Sequence, residues 1–123
     1  MSSAGTLASG SYSEQTIAMA RANRDFVVGF IAMRRPSPPQ EDSSEDFLIL
    51  TPGVQLGSTG DALGQQYRTP RTVILDSQCD VIIVGRGVIG SEDSIAVDEV
   101  KARAQLYRDE GWKAYLERVQ PSA

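Results

Sequence analysis

Residues 80–87 read D-V-I-I-V-G-R-G, and this stretch constrains the fold more than any other. Val81, Ile82, Ile83 and Val84 are consecutive β-branched residues with no polar alternation. Such a run predicts a strand covered on both faces, as in a parallel sheet. It leads directly into Gly85-Arg86-Gly87, where the glycines are expected to let the backbone turn sharply and approach a ligand closely. The Arg86 guanidinium offers a planar fork of donors suited to phosphate or carboxylate. An anion site is therefore expected at the end of this strand.

The same glycines, with Gly90, spell G-x-G-x-x-G, the pattern of a dinucleotide-binding turn. That pattern requires a helix, a second strand and, roughly 20 residues on, an acidic residue to hold the ribose. Here that distance falls within 105–110, inside one long amphipathic segment, and no second strand follows before Ala123. A dinucleotide-binding oxidoreductase fragment is thus the weaker alternative.

The chain has 123 residues, 41% of them hydrophobic, enough for the core of one small domain. A net charge of −4 offers no broad basic surface for nucleic acid or an anionic membrane. Cys79 is the only cysteine, which excludes an intrachain disulfide, fits a reducing compartment and reads as a half-buried structural thiol. Histidine is absent, removing Ser-His-Asp and Cys-His hydrolases and the usual zinc sites, so no metal is expected. The longest apolar run, 26–33, is too short to cross a bilayer, and 1–25 lacks a signal-peptide pattern. A cytoplasmic protein is expected.

Along the chain, Ser11 and Glu14 have capping-box spacing and predict a helix over 12–23, with Ile17 and Ala20 or Arg21 on different faces. A strand is predicted over 26–32. Residues 34–46, rich in Pro, Ser and acids, read as a mobile excursion in which Pro36, Pro38 and Pro39 forbid regular structure. A strand over 47–50 and a glycine-rich loop over 55–68 follow. Thr69-Pro70 then supplies an N-cap and a first-turn proline for a helix to about residue 77. The last helix is predicted over 95–118, with Val100, Ala104, Tyr107, Gly111 and Tyr115 along one stripe. Alternating strands and helices give an α/β fold with a parallel sheet. Three strands leave two open edges, so the chain reads as part of something larger.

Six segments together resemble orotidine 5′-phosphate decarboxylase in its eukaryotic, fungal-like form: MSSAGTLA (1–8), FVVGFIA (26–32), LTPGV (50–54), GDALGQQYRT (60–69), DVIIVGRG (80–87) and GWKAYL (111–116). The resemblance implies the C-terminal part of a TIM (β/α)8 barrel, strands six to eight with their helices. In such barrels the loops after strands seven and eight commonly form a phosphate site. By that resemblance Gln65 and Tyr67 belong to the phosphate-gripping loop, and Arg86, presented by Gly85, is the phosphate arginine. Ser2 would hydrogen-bond the pyrimidine ring and Pro52 would pack against it. The resemblance further implies orotidine 5′-phosphate as substrate, UMP as product, no metal or organic cofactor, and a homodimer for the complete enzyme.

The departure lies in what is missing. The family's Asp-x-Lys-x-x-Asp motif, whose lysine protonates the carbon that loses carbon dioxide, does not occur. Its nearest approaches, Asp98 with Lys101 and Asp109 with Lys113, read as helix-surface pairs. No catalytic residue is therefore assigned. The decarboxylase reading stands beside a second one, a non-catalytic nucleotide-phosphate-binding module.

Overall fold

The computed structural model describes residues 10–41, 44–57, 68–90 and 96–120. Three strands, β1 (Gly29–Ile31), β2 (Leu48–Thr51) and β3 (Val81–Ile82), form one parallel sheet in the order β1-β2-β3. Phe30 pairs with Ile49 and Thr51 with Ile82, so these four side chains share one face. Helices α1 (Ser11–Ala22), α2 (Pro70–Leu75) and α4 (Val97–Val119) build the cores on that side, with a short α3 (Arg86–Ile89) following β3. One core joins Ala20, Phe30, Ala32, Phe47 and Ile49. The other joins Val54, Val73, Ile74, Cys79, Tyr107 and Ala114.

The opposite face of the sheet is apolar and open. Ile31, Leu48, Val81 and Ile83 are all exposed. This corrects the expectation that 81–84 is covered on both faces: β3 is an edge strand with helices on one side only, so its residues alternate between half-buried and exposed. β1 and β3 are also shorter than predicted, while β2 keeps its four residues one position later. Phe26 and Val27 donate to the Asn23 carbonyl in a turn after α1, leaving Phe26 exposed.

Thr69 accepts the Thr72 N–H at 3.2 Å with Pro70 at the first helical position, as its sequence predicts. The capping box at α1 does not form. Ser11 is already helical, Gly10 stands at the N-cap, and no side chain caps the end. Ile17, Ala20 and Arg21 share a face instead of dividing between two, because three- and four-residue spacings superpose on a helix. Arg21 then grips Glu45 through two bonds, Nε at 2.6 Å and Nη2 at 3.1 Å, tying α1 to the approach of β2. On α4 the buried residues are Tyr107, Gly111 and Ala114. Ala104 and Tyr115 of the predicted stripe are exposed, and Tyr115 packs on Trp112 with ring centroids 5.2 Å apart.

Among the described residues of 34–46 there is no helix or strand. Arg35 anchors this segment, its N–H donating to the Ser77 carbonyl at 3.1 Å and its guanidinium to the Phe47 carbonyl at 2.7 Å. Cys79 is fully buried rather than half-buried, its Sγ lying 2.9 Å from the Val81 carbonyl oxygen.

Candidate functional site

All three strands point the same way, so their C-terminal ends lie together, and Thr51 joins them. Its buried hydroxyl donates to the Ala32 carbonyl at 2.8 Å, just past β1, and its carbonyl accepts the Ile83 N–H at 2.9 Å, just past β3. In parallel α/β sheets ligands bind beyond this end of the strands. Two predicted site segments emerge there. Pro52 directly follows β2 and is half-buried. Gly85 and Arg86 follow β3, with Gly85 at the N-cap of α3 and its carbonyl accepting the Val88 and Ile89 N–H groups at 2.9 and 3.1 Å.

Arg86 is exposed and makes no ion pair or side-chain hydrogen bond with another described residue. Arg21, Arg35, Arg71, Arg108 and Arg118 are all committed to carboxylates. Among the described residues nothing engages the Arg86 donor fork, whose geometry suits an anion. Ser2, Gln65 and Tyr67 lie outside the described residues.

The glycines have different surroundings. A Cβ on Gly85 would meet nothing within 4 Å, so its surroundings do not require a bare backbone. A Cβ on Gly87 would lie 2.2 Å from the Tyr107 hydroxyl oxygen, so the bare backbone there admits a neighbouring side chain. Gly90, at φ 76, ends α3 after only four residues. A dinucleotide turn needs a longer helix at that point, so the geometry does not fit that alternative.

Tyr107 was legible in the sequence only as a core position. Its hydroxyl accepts the Leu56 N–H at 3.1 Å, linking α4 to the segment after β2. No sequence signal distinguishes this tyrosine from one that merely fills the core.

The carboxylate and lysine pairs considered on the last helix are not ion pairs. On α4, Glu99 pairs with Arg103 at 3.7 Å and Arg108 with Asp109 at 2.8 Å, since the longer arginine forks reach the nearby carboxylates. Shifted titrations mark structural pairs elsewhere. The hydrogen bond from Arg71 holds the exposed Glu117 carboxyl below its usual range, and that with Glu45 raises the Arg21 guanidinium. Among the described residues no group of three or more His, Cys, Asp or Glu could hold a metal ion, and no helix is long and apolar enough to cross a membrane. A cavity of about 650 Å³ runs along β3 and α4, lined by Ile82, Tyr107, Trp112, Tyr115 and Arg118 among others. Of the predicted site residues that are described, Pro52, Gly85 and Arg86 do not line it.

Residues 1–100 match the orotidine 5′-phosphate decarboxylase / HUMPS family. The chain is 52% identical over 124 residues to the orotidine 5′-phosphate decarboxylase of Schizophyllum commune, covering 97% of this chain and 44% of that protein. It is 55% identical over 119 residues to that of Phycomyces blakesleeanus, covering 97% and 42%, and 52% identical over 120 residues to that of Rhizomucor pusillus, covering 98% and 43%. The chain thus spans less than half the length of these curated relatives. Its three parallel strands, their covering helices and this match together establish that the chain belongs to the orotidine 5′-phosphate decarboxylase / HUMPS family.

Proposed function

We propose that this chain is the C-terminal, phosphate- and pyrimidine-binding portion of an orotidine 5′-phosphate decarboxylase, comprising strands six to eight of its barrel. In the whole protein the reaction is conversion of orotidine 5′-phosphate to UMP and carbon dioxide. The observation that carries the reading is Arg86, exposed after the C-terminal end of a parallel strand and without a side-chain partner among the described residues. The sheet supports it: one face is covered by helices, while Ile31, Leu48, Val81 and Ile83 form an open apolar face, as the inner layer of an unclosed barrel does.

The proposed roles follow from position. Arg86, Gln65 and Tyr67 hold the phosphate, with Gly85 presenting Arg86; Pro52 packs against the pyrimidine, and Ser2 hydrogen-bonds it. Phosphate lies remote from the reacting carbon, so its binding energy is available to close loops and stabilise the transition state. No residue of this chain is assigned the proton transfer, and the lysine and aspartate array belongs to the remainder of the barrel. That remainder also closes the open sheet face. The complete protein is a homodimer in the cytoplasm, needing no metal or organic cofactor.

The second reading is a module that binds nucleotide phosphates without catalysis. Turnover of orotidine 5′-phosphate separates the two. It should be absent for the 123-residue chain alone. It should appear in a hybrid joining this chain to the part of the Schizophyllum commune relative it does not cover. A folded hybrid that binds UMP without turning over substrate would favour the non-catalytic module, and turnover by the chain alone would refute the proposed division.

A further inference from the structure

Tyr107 is 6% exposed, and its hydroxyl oxygen stands between the segments that leave two strands. On one side it accepts the Leu56 N–H at 3.1 Å, in the segment following β2. The preceding residue, Gln55, donates to the Arg68 carbonyl at 2.8 Å, so the two described ends of the long loop are joined beside this contact. On the other side the same oxygen lies so close to Gly87 that a Cβ there would sit 2.2 Å away. Gly87 directly follows Arg86. A phenylalanine would fill the same ring volume, so packing alone does not call for the hydroxyl. The oxygen supplies the partner of a partly buried backbone N–H, which would otherwise be left unsatisfied.

From this arrangement we infer that Tyr107 is a positioning residue, whose hydroxyl latches the Leu56 segment and the Arg86 turn to α4 and so fixes their separation. The consequence for ligand binding rests on the phosphate reading above; the latch itself does not. A phosphate held between the two segments would feel any change in their separation, since charge-assisted hydrogen bonds weaken quickly with distance and angle.

The test uses the full 123-residue chain. Hydrogen exchange followed by mass spectrometry is compared for the chain and its Tyr107→Phe variant, and UMP and uridine are titrated by calorimetry. Exchange should quicken in both 54–57 and 86–90, with the rest of α4 unchanged. UMP affinity should fall roughly three- to tenfold, the range set by one hydrogen bond, with uridine affinity unmoved. Gly87→Ala should release the Leu56 segment as well, because its Cβ would displace the hydroxyl that holds Leu56.

Unchanged exchange in either segment, or faster exchange throughout α4, would overturn the latch. Quickened exchange with unaltered UMP affinity would overturn the positioning role. Arg86→Ala tests the phosphate reading separately: it should erase the advantage of UMP over uridine and leave the 54–57 protection intact. If the unmutated chain shows no such advantage, the phosphate reading falls and the exchange pattern alone decides the latch.

Discussion

Arg118, near the end of the last helix, reaches the Asp80 carboxylate at 3.3 Å and so binds the C-terminal turn of α4 to the start of β3. The same guanidinium donates to the Ile74 and Cys79 carbonyls at 3.2 and 2.7 Å, and Arg35 pairs with the other Asp80 oxygen. That oxygen also accepts the Ile49 N–H at 2.9 Å. This ionic knot lies at the N-terminal end of β3, opposite the candidate site, where barrel residues serve stability. Asp80→Asn keeps the shape and leaves two half-buried guanidinium groups without their counter-charge. A loss on the order of 2–3 kcal/mol is expected, below the full cost of a buried pair because all three side chains are partly solvated. Urea unfolding of the hybrid checks it, and a change no larger than that of a surface substitution would show that the knot contributes little.

The open sheet face predicts association. Ile31, Leu48, Val81 and Ile83 are exposed on one side, and β1 and β3 both present free edges within the described sheet. The isolated chain should elute as oligomers and unfold with a concentration-dependent midpoint, whereas the hybrid should lose this self-association through the open face. Light scattering coupled to size exclusion tests this directly. A monomer with a sharp, concentration-independent transition would mean the face is covered in another way.

The Arg71–Glu117 pair joins α2 to α4 at 2.6 Å, and its hydrogen bond holds the Glu117 carboxyl below the ordinary value near 4.5. A carboxyl lowered on folding stabilises fully above its unfolded value, and that contribution is lost as pH falls through the folded value. Glu117→Gln should therefore be slightly less stable than the parent at neutral pH, and the two should converge on acidification. Unfolding midpoints of the two hybrids from neutral pH to below the carboxylate range measure this. A difference that grows as pH falls has the wrong sign.

Local signals were legible where chemistry acts over a few residues. Thr69-Pro70 announced the start of α2, and the alternation of elements announced a parallel sheet. The length of β3 and its one-sided burial were not legible, because β-branched residues record a strand's tendency and not which neighbours cover it. Asp80 opened the motif taken as an anion site, yet its carboxylate faces two arginines that are distant in sequence. That Gly87 makes room for Tyr107 was not legible either, since only tertiary structure brings that contact about. Arg86 was placed correctly at a strand end because that inference needed only the strand and the turn after it.

The central claim is that Arg86 grips the substrate phosphate, and catalytic efficiency of the hybrid on orotidine 5′-phosphate and on orotidine, with and without Arg86→Ala, tests it most directly. A charge-assisted hydrogen bond contributes on the order of 1.5–3 kcal/mol, and a bidentate arginine makes two. The substitution should therefore lower efficiency on the phosphorylated substrate roughly 100-fold or more. Orotidine, which never had the contact, should be used as before. An equal loss on both substrates would contradict the account and make Arg86 a structural residue.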